Sequence, residues 1–363
     1  MTSAERVAVV GTGLIGTSIA MAAARAGDQV RGFDADGDVL ARAAERSGLA
    51  PAPGIEDCVR GATLVFVCTP IPALPALVAE ALRLAPEAVV SDVGSVKSHV
   101  MRQVAGATTA ADLSRYVGGH PMGGSERSGP EHASPSVLDG VVWVVAPARG
   151  AEEAAARLEA WVEKLGARPV RMDAERHDRL VAMVSHLPQV ASTALMGLAA
   201  TEEAGEPEIL LLAAGGFRDL TRLAASNPHL WSDILLANSD AIARAIDLYV
   251  QRLGRLRDLV LAEDAAEVEE AFATAKAARL TLAAKPQVRS GVAVLQVPVP
   301  DRPGVLAEVT ATMSEAGVNI EDLQIVHSPE GGRGTVHLTV AADAVSEAER
   351  ALRERWFEPL RLA

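Results

Sequence analysis

The sequence predicts an α/β protein in three parts: a doubly wound parallel sheet, an all-helical block and a small α+β module. Short β-branched runs alternate with alanine-rich helical stretches up to about residue 171, which is the βα order of a parallel sheet. No convincing strand occurs between residues 173 and 284, and a βαββα order follows at the C-terminal end. We therefore expect domains at residues 1–171, 172–285 and 291–363.

The strand candidates of the first part are apolar runs that do not alternate with polar residues. Such runs are typical of strands buried on both faces of a parallel sheet. The intervening segments, such as 17–26 and 38–47, have the length and composition of helices, so we expect a Rossmann-type domain. The candidate strands are 7–10, 29–33, 64–68, 88–91, 116–118 and 141–146.

The two later parts carry their own boundary signals. In the helical block, Asn227-Pro228 predicts a helix start, because asparagine caps helices and proline suits the first helical position. Pro188 predicts a kink or a helix start near Ser185. After a predicted linker at 285–290, the last module is ferredoxin-like. Its candidate strands are 293–299, 319–327 and 334–340, and its candidate helices end near 315 and 355.

The composition excludes several classes of function. The chain has 34 Lys and Arg against 47 Asp and Glu, a net charge of −13, so general nucleic-acid binding by phosphate neutralisation is not expected. Aromatic residues make up 3% of the chain, which leaves few platforms for stacking bases. The hydrophobic fraction of 49% is that of a globular protein.

Cysteine usage and hydropathy bear on the cellular setting. Cys58 and Cys68 are too few for a disulfide framework or a four-cysteine metal site, so we expect no metal and a reduced, cytoplasmic location. The N-terminus has no secretory signal pattern. No uninterrupted apolar stretch of about 18 residues occurs, so we expect no membrane span.

A glycine-rich turn follows the first strand. Gly11, Gly13 and Gly16 form a GxGxxG sequence that opens a helix, which is the context of a dinucleotide-binding loop. Gly11 permits the tight turn, Gly13 lets the backbone approach a pyrophosphate, and Gly16 allows close packing of helix on strand. Leu14 and Ile15 would offer helix N–H groups to the anion. Asp34, at the end of the second strand, would bond the ribose hydroxyls and repel a 2′-phosphate, which favours NAD over NADP.

Later strand ends should meet at the same edge of the sheet. Thr69 and Pro70 follow the third long strand and are candidate cofactor contacts. His120 stands between glycines and a proline after a strand, and an imidazole there is well placed to act as a base near neutral pH. The hydroxyl of Ser95, after the preceding strand, is a candidate to orient it. A turn histidine bonded to local backbone is the simpler alternative for His120.

The first two parts of the chain contain, in order, the stretches Gly94-Ser95-Val96-Lys97, Gly119-His120-Pro121-Met122 with Gly124 and Glu126, Ser185-His186-Leu187-Pro188, and Gly216-Phe217-Arg218-Asp219-Leu220-Thr221-Arg222 with Trp231. These ordered motifs resemble the prephenate dehydrogenase family of tyrosine biosynthesis, and the resemblance extends from residue 1 to about 284. The C-terminal module contains Asp301-Arg302-Pro303-Gly304 and Gly317-Val318-Asn319-Ile320, and through them it resembles an ACT domain.

The resemblance implies oxidative decarboxylation of prephenate to 4-hydroxyphenylpyruvate with NAD. His120 would be the base, and Ser95 would bond both the histidine and the substrate hydroxyl close to the nicotinamide. Arg222 would bind a substrate carboxylate, for which its planar guanidinium is suited. Arg218, which is spaced i, i+4 from Arg222, would add a contact at the rim. The other implied substrate contacts are Ser185, His186 and Glu126.

One position departs from the family pattern. Many prephenate-specific members carry a second histidine three residues after the one that matches His186, and this chain has Gln189 there. A neutral amide in the substrate side-chain region raises arogenate, which would give L-tyrosine directly, as an alternative substrate.

For the C-terminal module, the resemblance implies pairing of two modules and amino-acid binding at their interface. The turn from Asp301 to Gly304 and the N–H of Val305 offer donors to a carboxylate, and Asn319 offers a polar contact. L-tyrosine as a feedback effector and a homodimer are the corresponding expectations. A dimer-stabilising module without a ligand is the alternative.

Two competing functions have different signatures. Another Rossmann-plus-helical hydroxyacid dehydrogenase would place an acid–base lysine in the helical block, where the only lysine is Lys276, far along the chain. A non-enzymatic NAD sensor would bind NAD without turnover. The combination of His120, Ser95 and Arg222 disfavours that sensor.

Overall fold

In a computed structural model, residues 4–123, 128–202, 205–206, 208–283, 292–327 and 333–362 are described. The predicted linker at 285–290 and Glu126 lie outside these residues. The chain separates into two compact units, one of residues 1–194 and 223–248 and the other of residues 195–222 and 249–363. These units do not coincide with the predicted domains, whose boundaries stay a prediction.

The first unit contains an eight-stranded sheet in the order β3-β2-β1-β4-β5-β6-β7-β8. The core strands are apolar and fully buried because helices cover both faces, as the lack of alternation predicted. The strands are β1 Arg6–Val10, β2 Gln29–Phe33, β3 Ala50–Pro51, β4 Leu64–Val67, β5 Val89–Asp92, β6 Tyr116–Pro121, β7 Val142–Pro147 and β8 Arg168–Arg171. The helices are α1 Leu14–Arg25, α2 Gly37–Ser47, α3 Ile55–Val59, α4 Leu74–Leu84, α5 Ser98–Ala107, α6 Ala110–Leu113 and α7 Glu152–Lys164.

The sheet is not parallel throughout, which corrects one detail of the prediction. β7 pairs with β6 antiparallel, with His120 opposite Val144. A parallel return needs a crossover connection, usually a helix. The described part of this connection contains only short 3-10 turns at Pro130–His132 and Pro135–Val137. The remaining neighbouring strands of this sheet are parallel, so β1, β4, β5 and β6 end at one edge.

The helical block begins with one continuous segment, α8 Ala174–Val181, a π-helical turn Ala182–His186 and α9 Leu187–Glu202. The π turn is at the position where Pro188 was expected to disturb the helix. Proline has no N–H to give to the preceding turn, and such losses are accommodated by wider turns. The further helices are α10 Glu208–Leu211, α11 Gly215–Thr221, α12 Pro228–Ala237, α13 Ser239–Leu261 and α14 Ala265–Ala283.

The segment 174–202 is the only described helix long and apolar enough to cross a membrane by length and composition. It carries His177 and Asp178 buried, with Asp178 bonded to the first turn of α5. The structure buries 28% of its most apolar window, and the length and composition test alone is weak evidence.

The C-terminal module forms a four-stranded antiparallel sheet in the order β10-β11-β9-β12 with its own apolar core. Leu295, Val309, Met313, Leu338 and Leu352 are fully buried in that core. The βαββα order is confirmed, and a short final strand, β12, was not predicted. The elements are β9 Val292–Pro300, α15 Val305–Glu315, β10 Ile320–His327, β11 Arg333–Ala341, α16 Val345–Glu354 and β12 Leu360–Leu362.

Candidate active site

The glycine loop between β1 and α1 has backbone geometry that larger residues cannot adopt. Gly11 has φ +93°, and a Cβ on it would lie 2.6 Å from the carbonyl oxygen of Cys68. A Cβ on Gly16 would lie 2.0 Å from the carbonyl oxygen of Gly11. Both glycines are therefore required for the close packing of the loop against β4 and α1, as predicted.

Gly13 faces open space, unlike the other two glycines of the loop. A Cβ on Gly13 would meet no atom within 4 Å. Helix α1 starts at Leu14, followed by Ile15, and no side chain caps its N-terminus. The hydroxyl oxygen of Thr69, just after β4, is buried without a hydrogen-bond partner. An open helix N-terminus and a buried orphan hydroxyl at the same sheet edge fit a phosphate-containing ligand with further polar groups, and NAD has both. Pro70 follows Thr69 at that edge.

Asp34 is fixed at the end of β2. Its carboxylate accepts from the amide of Thr12 at 2.7 Å and from the Thr12 hydroxyl at 3.2 Å, and its other oxygen accepts from the amide of Asp36 at 3.0 Å. These bonds tie the carboxylate to the glycine loop. That position agrees with the predicted role beside the adenosine ribose.

His120 lies near the end of β6 and forms the first link of a hydrogen-bonded chain. Its Nδ1 is 2.9 Å from Nε2 of His177, and Nδ1 of His177 is 2.8 Å from Oδ1 of Asp178. The Asp178 carboxylate also accepts from the amides of Lys97 and Ser98 at the start of α5, each at 2.8 Å. The three side chains therefore run from the sheet edge to a helix N-terminus, where a carboxylate is stabilised.

The hydrogen-bonded chain His120–His177–Asp178 fixes which imidazole nitrogen of His120 carries the proton. An ionised carboxylate only accepts, so His177 donates through Nδ1 and presents a lone pair at Nε2. His120 then donates through its own Nδ1, which leaves its Nε2 unprotonated. This arrangement gives His120 a free basic nitrogen.

The pKa shifts favour the same charge states. Burial lowers the pKa of His120 well below its ordinary value, and the charges of His177, Lys97 and His186 lower it further. For Asp178, burial acts to raise the pKa, but the hydrogen bonds from His177, Lys97 and Ser98 outweigh it and hold the pKa below its usual value. His120 is therefore neutral at neutral pH, as a general base must be.

Nδ1 of His120 is bonded to His177 and not to Ser95, and the predicted orienting role of Ser95 stays a prediction. His177 occupies that nitrogen, while the half-buried Ser95 hydroxyl forms no hydrogen bond among the described residues. Because Ser95 follows β5 at the same edge as the glycine loop, its predicted contact with substrate and cofactor stays a prediction.

His177 and Asp178 were missed in the sequence. The bond between His120 and His177 joins positions 57 apart, which no local pattern reveals. One available signal was the i, i+4 spacing of His177 and Val181, which places the histidine on the buried face of α8. A titratable residue on an apolar helix face is a reason to look for a partner.

The π turn positions two further candidates. His186 is buried, and its Nδ1 lies 3.3 Å from the side-chain nitrogen Nδ2 of Asn238. Its ring packs edge-on against the ring of Trp231, with the ring centroids 6.0 Å apart. Burial lowers the pKa of His186 to about 4, so it is neutral at neutral pH. Ser185, beside it, is half-buried. Trp231 thus packs against His186.

Gln189 forms hydrogen bonds that the sequence did not predict, and its predicted contact with the substrate stays a prediction. Its side-chain nitrogen donates to the carbonyl oxygen of Leu223 at 2.8 Å, and its side-chain oxygen accepts from the Ser226 hydroxyl at 3.4 Å. At 5% exposure, the side chain holds the turn after Arg222. The amide is engaged because helix α9 packs against this turn.

The remaining candidates lie in the second unit. Arg218 is on α11, and Arg222 begins the next turn. Their arrangement about His120 stays a prediction. In the C-terminal module, Gly304 has φ +90° and caps α15, Val305 is buried, and Asp301 is exposed in the turn before them. Asn319 donates to Glu321 at 2.6 Å.

The fold and site together define a dehydrogenase. A glycine loop, an acid after β2 and a neutral imidazole near the end of β6 share one edge of a doubly wound sheet, where such folds bind dinucleotides. A base beside a dinucleotide is the arrangement needed to take a proton from an alcohol while hydride leaves.

Comparisons with known proteins identify the family. Residues 19–171 match the prephenate dehydrogenase nucleotide-binding domain, residues 173–274 match the prephenate dehydrogenase dimerization domain, and residues 293–356 match the ACT domain. Prephenate dehydrogenase of Bacillus subtilis (strain 168) is 31% identical over 348 residues, which cover 93% of this chain and 93% of that relative.

Two solved structures are similar over about three quarters of the chain. The prephenate dehydrogenase of A. aeolicus in complex with hydroxyphenyl propionate and NAD+ has a TM-score of 0.71 and 27% identity, covering 77% of this chain and 99% of that one. The arogenate dehydrogenase of Synechocystis has a TM-score of 0.68 and 28% identity, covering 76% and 99%. This chain belongs to the prephenate dehydrogenase family and has an NAD-binding domain and a C-terminal ACT domain.

Proposed function

We propose that the protein catalyses the NAD-dependent oxidative decarboxylation of prephenate to 4-hydroxyphenylpyruvate in L-tyrosine biosynthesis. The observation that carries the proposal is the chain His120–His177–Asp178 at the sheet edge that also holds the glycine loop. Membership of the family disfavours another class of hydroxyacid dehydrogenase and a non-enzymatic sensor. The free cysteines, Cys58 and Cys68, accord with a reduced, cytoplasmic setting.

In this mechanism, His120 takes the proton of the ring hydroxyl through Nε2. His177 holds the imidazole through Nδ1 and shares the resulting positive charge with the Asp178 carboxylate. NAD+, when bound, would take up the hydride that leaves the carbinol carbon. The ring carboxylate leaves as CO2, its bonding electrons enter the ring and reach the oxygen, and the His120 imidazolium returns its proton to that oxygen, so aromatisation needs no second acid or base. Ser95 would bond the same hydroxyl and orient it toward His120.

Substrate binding requires cations, because prephenate is a dianion and the protein carries a net charge of −13. Arg222 would bind a carboxylate with its planar guanidinium, and Arg218 would add a contact at the rim. Ser185, His186 and Glu126 complete the proposed substrate site. Gln189, predicted as a further substrate contact, would also support the turn that follows Arg222.

Arogenate is the second candidate substrate. The similarity to the Synechocystis arogenate dehydrogenase is nearly the same as that to the A. aeolicus prephenate dehydrogenase, so the overall fold favours neither. The two substrates differ only in the side chain, where arogenate carries an ammonium group in place of the keto oxygen of prephenate.

Steady-state NADH formation with each substrate separates these possibilities. We expect turnover with prephenate and NAD+, and at least about tenfold lower kcat/KM with NADP+, because Asp34 repels a 2′-phosphate. Turnover with arogenate alone would exclude prephenate dehydrogenase activity. Absence of turnover with both would overturn the proposed function.

We also propose that the protein is a homodimer and that L-tyrosine binds the ACT domain and inhibits by feedback. The match to a dimerization domain and the donors around Gly304 and Val305 support this, with Asp301 and Asn319 at the rim. A dimer-stabilising role without ligand is the alternative. The ACT domain has its own core, separate from that of the sheet domain, so its removal leaves that core intact.

Deletion of residues 286–363 is expected to abolish inhibition by L-tyrosine while turnover remains. The measurement is the initial rate against tyrosine concentration for the full chain and the truncated chain, with light scattering to record the oligomeric state. Inhibition that persists unchanged would show that tyrosine competes at the active site as a product-like ligand.

A further inference from the structure

Lys97 is a fully buried lysine that the proposed mechanism does not use. Its side chain is 0% exposed, and its ammonium forms an ion pair with Asp92 at the end of β5. The same ammonium donates to the carbonyl oxygen of Gly119 at 2.7 Å. Its main-chain N–H donates to Oδ1 of Asp178 at 2.8 Å. Lys97 therefore contacts Gly119, the residue before His120, through its ammonium, and it contacts Asp178, the last member of the His120–His177–Asp178 chain, through its main-chain N–H.

The partner carboxylate is held equally firmly. Asp92 also accepts from the hydroxyl of Tyr116 at 2.7 Å and from the amide of Gly94 at 2.8 Å. Both charges of the ion pair are thus hydrogen-bonded to further groups, as charges in the protein interior require.

The backbone of β6 is shaped to admit this lysine. A Cβ on Gly118 would lie 3.1 Å from Cδ of Lys97, and a Cβ on Gly119 would lie 2.5 Å from the carbonyl oxygen of Asp92. Two glycines before His120 therefore let β6 approach β5 closely enough for the ammonium to reach the Gly119 carbonyl. Replacement of a buried ion pair by apolar residues is often neutral or stabilising, so stability alone does not account for the pair.

We propose that Lys97 is a positioning residue for the base: it fixes the backbone before His120 and the Asp178 carboxylate together, and so sets the geometry of the His120–His177–Asp178 chain. This inference rests on the proposed role of His120 as base.

The charge of Lys97 acts in the same direction as its hydrogen bonds. After burial and the charge of His177, the Lys97 ammonium is the next cause that lowers the pKa of His120, and His186 follows. Removal of this cation should raise the pKa of His120. On acidification, a variant without the cation should therefore lose the neutral, active imidazole at a higher pH than the unaltered enzyme does. The titratable and charged groups around His120 are Lys97 after β5, His177 and Asp178 on α8, His186 on the π turn, and Asp92, which acts through Lys97.

The test neutralises the pair and keeps the interior uncharged. K97M alone would leave a buried carboxylate without its cation, so the variants are D92N/K97M and D92N/K97Q. Glutamine keeps an N–H donor for the Gly119 carbonyl, and methionine does not. The matched control is D28N/K164M, which removes a similar ion pair whose Asp28 is fully buried, at the amino end of the sheet. Circular dichroism and thermal unfolding confirm folding of each variant.

Two measurements read the outcome. One is the kcat/KM profile against pH, where we expect the acidic limb to move upward in both Lys97 variants, because Lys97 is among the charges that lower the pKa of His120 and Asp92 is not. We also expect kcat to fall about 10- to 100-fold in D92N/K97M and less in D92N/K97Q. The other is NMR titration of His120 in ¹⁵N-histidine-labelled enzyme without substrate, where its pKa should rise in both variants but not in D28N/K164M.

The NMR titration needs no turnover, so it tests the inference even if the proposed substrate is wrong. Folded D92N/K97M with an unmoved acidic limb, an unmoved His120 titration and the kcat of the unaltered enzyme would overturn the inference. If neither variant folds, the NMR titration of the unaltered enzyme decides the question. A His120 imidazole that titrates at or above the ordinary histidine pKa would also overturn the inference.

Discussion

Replacing His120 with alanine is expected to lower kcat by about 10²–10⁴-fold, the usual contribution of a positioned general base. The Michaelis constant for prephenate should change little, because the imidazole interacts with the substrate hydroxyl mainly as the proton moves. The measurement is the initial rate of NADH formation at saturating NAD+ over a range of prephenate concentrations. A stopped assay of 4-hydroxyphenylpyruvate should give the same loss.

The pH dependence provides a second reading of the same residue. Because the pKa of His120 is lowered, the unaltered enzyme should keep its activity well below pH 6.5, the ordinary histidine pKa, before the imidazole is protonated. The matched control is His99→Ala on α5, whose ring pairs with Gln103, and it should retain full activity. An H120A enzyme that is folded and turns over normally would show that the base has been assigned wrongly.

Replacing Arg222 with alanine is expected to raise the KM for prephenate about 10- to 100-fold, with a smaller change in kcat. Hydrogen bonds to charged groups are worth about 1.5–3 kcal/mol, and each 1.4 kcal/mol is a factor of about ten. Arg222→Lys should recover part of the loss, since it restores the charge but not the two-pronged contact with a carboxylate. Initial rates as a function of prephenate concentration measure both variants.

Arg83→Ala, an exposed arginine on α4, is the control for the loss of one positive charge. Its KM should equal that of the unaltered enzyme. If the KM of R222A also stays unchanged, Arg222 does not bind the substrate carboxylate. A fall in kcat alone would instead indicate a role in the transition state.

The parts of the fold that follow from local pattern were predictable from the sequence. The apolar runs at β1, β4 and β5 carry their own evidence of burial on both faces, and the glycine loop has a spacing dictated by its turn and its packing. Asn227 caps α12 as expected, with its side chain accepting from the amides of His229 and Leu230. The short strands β3 and β8 were missed because they are brief, partly polar and proline-containing.

The site was predictable only in part. His120 could be identified because it follows a strand whose end must face the crevice. Its partner could not, since His177 is 57 positions away and reaches Nδ1 only when α8 packs beside β6. The role of Gln189 was likewise hidden, because its contact with the Leu223 carbonyl depends on the packing of α9 against a distant turn.

By itself, the sequence determined the order of the long strands and helices, the dinucleotide loop, the candidate base and the presence of an ACT domain, because each depends on residues that are close along the chain. Only the tertiary structure decided the antiparallel return of β7, the His177–Asp178 support of the base and the buried Lys97–Asp92 pair. These features depend on desolvation and on contacts such as that from Lys97 to Asp178, 81 positions apart, which form only when the chain is folded.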